Sequence, residues 1–216
     1  MNSFSRIWLL AGLVFCVACG KKPDKKLAQT YFKMAFLELA DEHKEHARYQ
    51  SALQLVNQAI AQASKPEYIA LKATILLHMG HTAASVAAFD QALALPADEY
   101  LKAQIMNNYA CVLAQRGDRE KAHKIWQELA GSAWYQTPEV AWVNLGKLHL
   151  DGKEPGRAKE AFKMAGLLSP NYLDAHFYCA VAAKAAGDKI LARNELEMVL
   201  KLEPEHEGAM VLSQGL

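Results

Sequence analysis

Residues 139–170 read EVAWVNLGKLHLDGKEPGRAKEAFKMAGLLSP, and the alternation of large and small side chains in them decides the fold. Gly146 and Ala158 are small where two antiparallel helices would cross closely, while Trp142, Leu145 and Phe162 fill the space around the crossing and Ala165 keeps the second helix slim. Pro170 then stops that second helix. Such a hairpin buries only one face of each helix, so it needs neighbours of the same kind.

The neighbours are present. Moving forward by about 34 residues, Ala158, Phe162, Ala165 and Pro170 become Ala192, Leu196, Val199 and Pro204, and Trp142, Leu145 and Gly146 become His176, Cys179 and Ala180. Moving back by 36 gives Ala122 and Trp126 in a second helix, with Tyr109 and Ala110 in its first. Earlier still, Phe89 and Ala92 precede Pro96, and Ala52, Val56 and Ala59 precede Pro66, with first helices at Ile69–Leu77 and Phe36–Ala40.

This spacing resembles the tetratricopeptide repeat, whose period is about 34 residues. The register places units at Lys33, Pro66, Ala103, Glu139 and Leu173, so residues 33–206 are expected to form an all-α solenoid of about five helix-turn-helix repeats. Gly80, Gly117, Gly152 and Gly187 fall near the turns inside units, where glycine can take positive φ. Composition agrees: 52% of the 216 residues are hydrophobic, Ala and Leu dominate, and no strand pattern of any length is present. Residues 207–216 read as a short C-terminal stub.

The first eighteen residues are a separate matter. Arg6 precedes Ile7–Ala18, an uncharged apolar stretch too short to span a bilayer, which fits the hydrophobic part of a secretory signal. It ends Cys16-Val17-Ala18-Cys19-Gly20, which resembles the lipobox of bacterial lipoproteins, with Cys16 standing where that pattern prefers Leu. The resemblance implies a signal peptide over residues 1–18 and lipidation of Cys19. The alternative is an uncleaved signal anchor with Cys19 as an ordinary apolar residue, and both readings put the repeats outside the cytoplasm. Gly20 after the Cys resembles lipoproteins sorted to the outer membrane. Residues 19–32 are then a lipidated tether and the start of the first helix, with Lys21 to Lys26 solvated or, alternatively, in contact with anionic lipid.

No catalytic or metal set emerges. The histidines pair at helical spacing as His43 with His46, His78 with His81, and His176 with Cys179, yet none gains the third ligand a metal needs. Phosphate loops, nucleophile elbows and paired carboxylates are absent from the pattern. A net charge of +1 makes no case for nucleic acid. Cys111 and Cys179 lie two repeats apart, which argues against a disulfide; Cys179 reads as a core residue, and Cys111 as part of a groove. The chain is therefore expected to be no enzyme, with no cofactor and no small-molecule substrate.

Its function is expected in the groove lined by the first helices. The tetratricopeptide resemblance turns Asn107, Asn108, Cys111, Gln115, Val140, Val143, Asn144, Lys147, Leu150, Phe177 and Val181 towards a bound protein. Asn108 and Asn144 share one geometric position in consecutive units and could bind a peptide backbone by donating and accepting, or simply be solvated amides. Val140, Asp174 and Phe177 stand where a carboxylate clamp needs basic residues, so the apolar lining suits an amphipathic helix or extended apolar segment instead; the alternative for its Val and Leu residues is packing between repeats.

The run Ile105-Met106-Asn107-Asn108-Tyr109-Ala110 with Leu113 and Gly117, followed by Val143-Asn144-Leu145-Gly146, resembles the pilotin lipoproteins of type IV pilus systems, which commonly carry a sixth repeat. The resemblance implies an outer-membrane lipoprotein on the periplasmic face whose partners are secretin subunits. The alternative is an envelope adaptor for outer-membrane protein insertion or for peptidoglycan enzymes.

Overall fold

The computed structural model describes residues 23–40 and 47–216. The signal segment, Cys16, Cys19 and the His43/His46 pair lie outside the described residues. Within them the chain is an all-α tetratricopeptide-repeat solenoid of five helical pairs and a final single helix. The pairs are α1 (Lys25–Ala40) with α2 (Ala47–Gln62), α3 (Pro66–His78) with α4 (Thr82–Ala94), α5 (Glu99–Arg116) with α6 (Arg119–Ala130), α7 (Pro138–Asp151) with α8 (Pro155–Leu168), and α9 (Leu173–Ala185) with α10 (Lys189–Leu202); α11 (Glu207–Gln214) follows.

Local chemistry sets the helix starts. Asp24 Oδ1 accepts from the backbone N–H groups of Lys26 at 2.9 Å and Leu27 at 3.1 Å, so α1 begins at Lys25 and the first unit opens well before Lys33. Lys25 and Lys26 accordingly belong to a helix and not to a solvated tether. Asp98 caps α5 in the same way through Leu101 N at 2.8 Å, which starts this unit ahead of Ala103. The extra residues that stretch this repeat to a 36-residue spacing are housed between α6 and α7, where Tyr135 is buried and Trp134 meets Tyr100 edge to face at 5.4 Å.

Three turns use glycine as expected: Gly80, Gly117 and Gly187 have φ of 80°, 91° and 80°. The turn after α7 does not. Gly152 has φ −77° and Lys153 takes the left-handed position at φ 59°, with Glu154 N donating to His149 O at 2.9 Å. A Cβ on Gly152 would lie 2.9 Å from the tip of the Arg119 side chain, whose guanidinium donates to Leu148 O.

The core is a chain of apolar clusters, each shared between neighbouring pairs. At the signature crossing, a Cβ on Gly146 would stand 2.6 Å from the Phe162 ring, and both Phe162 and Ala158 are fully buried. Polar groups inside are matched: buried Ser85 donates from Oγ to Ala73 O at 2.7 Å, tying α4 to α3. Residues 207–216 are not a stub. α11, capped by His206 Nδ1 accepting from Ala209 N at 3.1 Å, buries Ala209 against Ala180, Leu196 and Val199 and so covers the apolar end that the last pair would otherwise leave open.

Candidate protein-binding groove

First helices of consecutive units approach one another directly, α3 with α5, α5 with α7 and α7 with α9, whereas successive second helices stay further apart. The stack therefore curves with the first helices on its inner face, which is the expected groove.

The asparagines are arranged differently from the expected pairing of Asn108 with Asn144. Asn107 Oδ1 accepts from Trp126 Nε1 at 3.1 Å and from Asn144 Nδ2 at 3.2 Å, while Asn107 Nδ2 donates to Asn108 Oδ1 at only 3.5 Å. Asn107 and Asn144 thus join α5, α6 and α7. Asn108 is exposed and faces the groove.

The other expected groove residues divide sharply. Val143 is 2% exposed within the core between α7, α8 and α9, because its position turns under the helix crossing, and it is unavailable to a partner. Leu150 packs against the same cluster. Phe177 lies partly under α11, with its ring 4.8 Å from that of His206 and close against Gly208, and with Val181 it lines a cavity of about 370 Å³ beside Val211 and Leu212. Lys147 is held by the Asp174 carboxylate at 3.1 Å and sits 4.2 Å from the centre of the Tyr178 ring. Val140 and Cys111 are half-buried and Gln115 is exposed. Burial pushes the Cys111 thiol pKa up, so this is no activated nucleophile.

The histidine pairs also resolve into structural contacts. His78 stacks on Tyr49 at 5.2 Å. His176 lies between the Glu195 carboxylate at 2.6 Å and Pro170 O at 2.8 Å, and the buried Cys179 thiol is pushed up to about 12 by burial and then by Glu195. Among the described residues no group of three or more His, Cys, Asp or Glu side chains could hold a metal ion.

Sequence reading missed a second opening of the groove. Between α1, α3 and α5 lies a cavity of about 350 Å³ lined by Phe32, Phe36, Leu71, Leu101, Ile105 and Asn108, with Phe36 51% exposed at its mouth. The lining is mostly apolar, with Glu67, Thr74, Gln104 and Asn108 as its polar members, which suits an apolar segment whose backbone can pair with Asn108 or Gln104. The signal was legible in Asp24: a register opened at that cap would have put Phe32 and Phe36 on the inner face.

No protein-family profile matches the chain, and no curated protein matches it in sequence. Solved structures share its fold. The structure described as a functional characterization of Pseudomonas aeruginosa pilF matches with a TM-score of 0.73 at 19% identity, over 87% of this chain and 81% of that one. MamA from Desulfovibrio magneticus RS-1 matches with a TM-score of 0.66 at 18% identity, over 88% and 99% of the two chains. YrrB, described as a TPR protein with an unusual peptide-binding site, matches with a TM-score of 0.62 at 16% identity, over 91% and 94%. At these identities the likeness is one of fold.

Proposed function

We propose that the chain is an envelope scaffold, acylated at Cys19 and held at the periplasmic face of the outer membrane, that seats an apolar segment of a pilus secretin subunit in its groove and promotes secretin assembly. The observation that carries the binding role is the apolar cavity between α1, α3 and α5, with Phe36 half exposed at its mouth and Asn108 on its rim. A soluble chain rarely leaves such a surface on a concave face without a partner for it. The pilotin resemblance of the Asn107-Asn108-Tyr109 and Asn144-Leu145-Gly146 segments supports the choice of partner, and the shared fold with pilF agrees with it.

The mechanism needs no catalysis. A lipid anchor confines the scaffold to a surface, the groove holds one subunit, and confinement raises the local concentration at which subunits meet. A second reading, an adaptor for other envelope proteins, draws on the comparable fold likeness to YrrB with its peptide-binding site.

Deleting the gene in its host tests this. Heat-resistant secretin multimers should vanish from outer-membrane fractions, return with the intact gene, and fail to return with Cys19→Ser or Phe36→Asp copies. Multimers that persist in the deletion strain sink the secretin reading and leave the adaptor, whose partner crosslinking from position 36 would identify.

A further inference from the structure

End units of a solenoid ordinarily turn a polar face outward, because no further repeat packs on it. α1 departs from this. Its inner face buries Ala28 and Ala35 against α2, but Leu27, Met34 and Leu37 fall on one line of its outer face and are 36%, 43% and 71% exposed. Immediately beside that line run Lys26 and Lys33, both exposed, and Lys25 opens the helix. Glu38 is the one acidic residue in α1. The face is thus an apolar stripe with one basic edge.

We propose that this outer face of α1 lies on an anionic bilayer surface, with Leu27, Met34 and Leu37 entering the interfacial layer and Lys26 and Lys33 reaching the headgroup phosphates. Charge complementarity selects a lipid surface over an apolar protein face, since Lys26 and Lys33 run along one edge of the stripe, with Glu38 the single acidic residue at the other. Chain length agrees: only five residues lie between Cys19 and Lys25, and even fully extended that stretch spans about 20 Å. An acyl anchor at Cys19 therefore keeps α1 beside the bilayer; this part rests on the lipid-anchor reading above, whereas exposure and charge do not. Docking would have a functional consequence, because the same helix supplies Phe32 and Phe36 to the groove cavity. A helix lying on the membrane sets the direction in which that cavity opens as well as its distance from the bilayer.

Every apolar cluster of the described fold lies between Ala28 and Leu216, so a chain starting at Gly20 keeps them all and carries no acyl group. This chain is expected to sediment with vesicles containing phosphatidylglycerol, more weakly as salt rises, and not with vesicles of phosphatidylcholine alone. Met34→Asp with Leu37→Asp should lower the bound fraction about tenfold at an unchanged melting temperature, since both side chains are exposed. Lys26→Glu with Lys33→Glu should abolish the preference for phosphatidylglycerol. Absence of sedimentation, or equal sedimentation of the Met34→Asp, Leu37→Asp variant, overturns the proposal. So does a wild-type dimer that Leu37→Asp splits, which would assign the face to a second copy. Labelled palmitate offered to cells making the full-length chain tests Cys19 separately: failure to incorporate it removes the anchor and leaves the vesicle result standing.

Discussion

Asn144 Nδ2 donates to Asn107 Oδ1 across 3.2 Å, and the same oxygen accepts from Trp126 Nε1 at 3.1 Å. One amide therefore connects two successive units and both helices of the earlier one. Removing it strands an indole N–H that is almost wholly buried, so Asn107→Ala should cost about 1–3 kcal/mol. Asn108→Ala, at an exposed position, should stay within about 0.5 kcal/mol of wild type while weakening partner binding. Urea unfolding of the two variants separates these roles; equal stabilities would refute the assignment of Asn107 as the structural member of the pair.

Gly146→Ala sets two effects against each other. Alanine favours a helix interior over glycine by about 0.5–1 kcal/mol. Against that, the new methyl would stand 2.6 Å from a Phe162 ring that is fully buried and cannot swing aside, and overpacking of this kind costs about 1–3 kcal/mol. The variant should melt lower than wild type. In a double-mutant cycle, Phe162→Leu should cost less in the Gly146→Ala background than alone, because it vacates the contested space.

The turn after α7 holds a lysine in the left-handed region, φ 59° at Lys153. A residue with a Cβ bears about 1–2 kcal/mol there, and glycine loses part of the advantage through its own entropy. Lys153→Gly is expected to stabilise the chain by about 0.5–1 kcal/mol. Gly152→Ala, at an ordinary φ of −77° and meeting only the movable tip of the Arg119 side chain, should stay within about 0.5 kcal/mol of wild type. Thermal melts of both variants check the contrast.

Acid should weaken the junction of the third and fourth units in two steps. Burial, followed by His149 and Arg157, pushes the His123 imidazole below its ordinary 6.5. The unfolded chain therefore takes up this proton first, so the contribution is complete above 6.5 and is lost as pH falls through the lower folded value. The Glu154 carboxyl, held below 4.5 first by its hydrogen bond to His149, adds a second loss below that pH. A His123→Gln variant should show a smaller fall in melting temperature between about pH 7.5 and pH 5.5 than wild type.

Much of this architecture could be read from residue sizes. Gly146, Ala158 and Phe162 announced a close helix crossing, and their echoes at Ala110, Ala122 and Trp126 and at Ala180, Ala192 and Leu196 marked its repetition, because nearest-neighbour packing imposes the same volume constraint on every unit. The groove list was less legible. Val143 and Asn144 are adjacent in sequence, yet one is sealed in the core and the other is only half-buried; they point about 100° apart around α7, and which of the two directions meets the neighbouring helices is set by packing and not by spacing. The His123–His149 contact, 5.4 Å between rings, joins residues from different helices and has no local signature at all.

The sequence by itself determined that this chain is a stack of helical hairpins, since a period of small and large residues has one economical way to bury its apolar surface. It also carried the caps, visible in Asp24, Asp98 and Asp188, that set where helices begin. Only the tertiary structure decided which face each helix leaves open. That choice depends on curvature and on contacts between first helices far apart in the chain, and it turned Phe36 outward into a cavity, drew Asn107 inward to Trp126, and folded the last residues into α11 over an end that would otherwise face water.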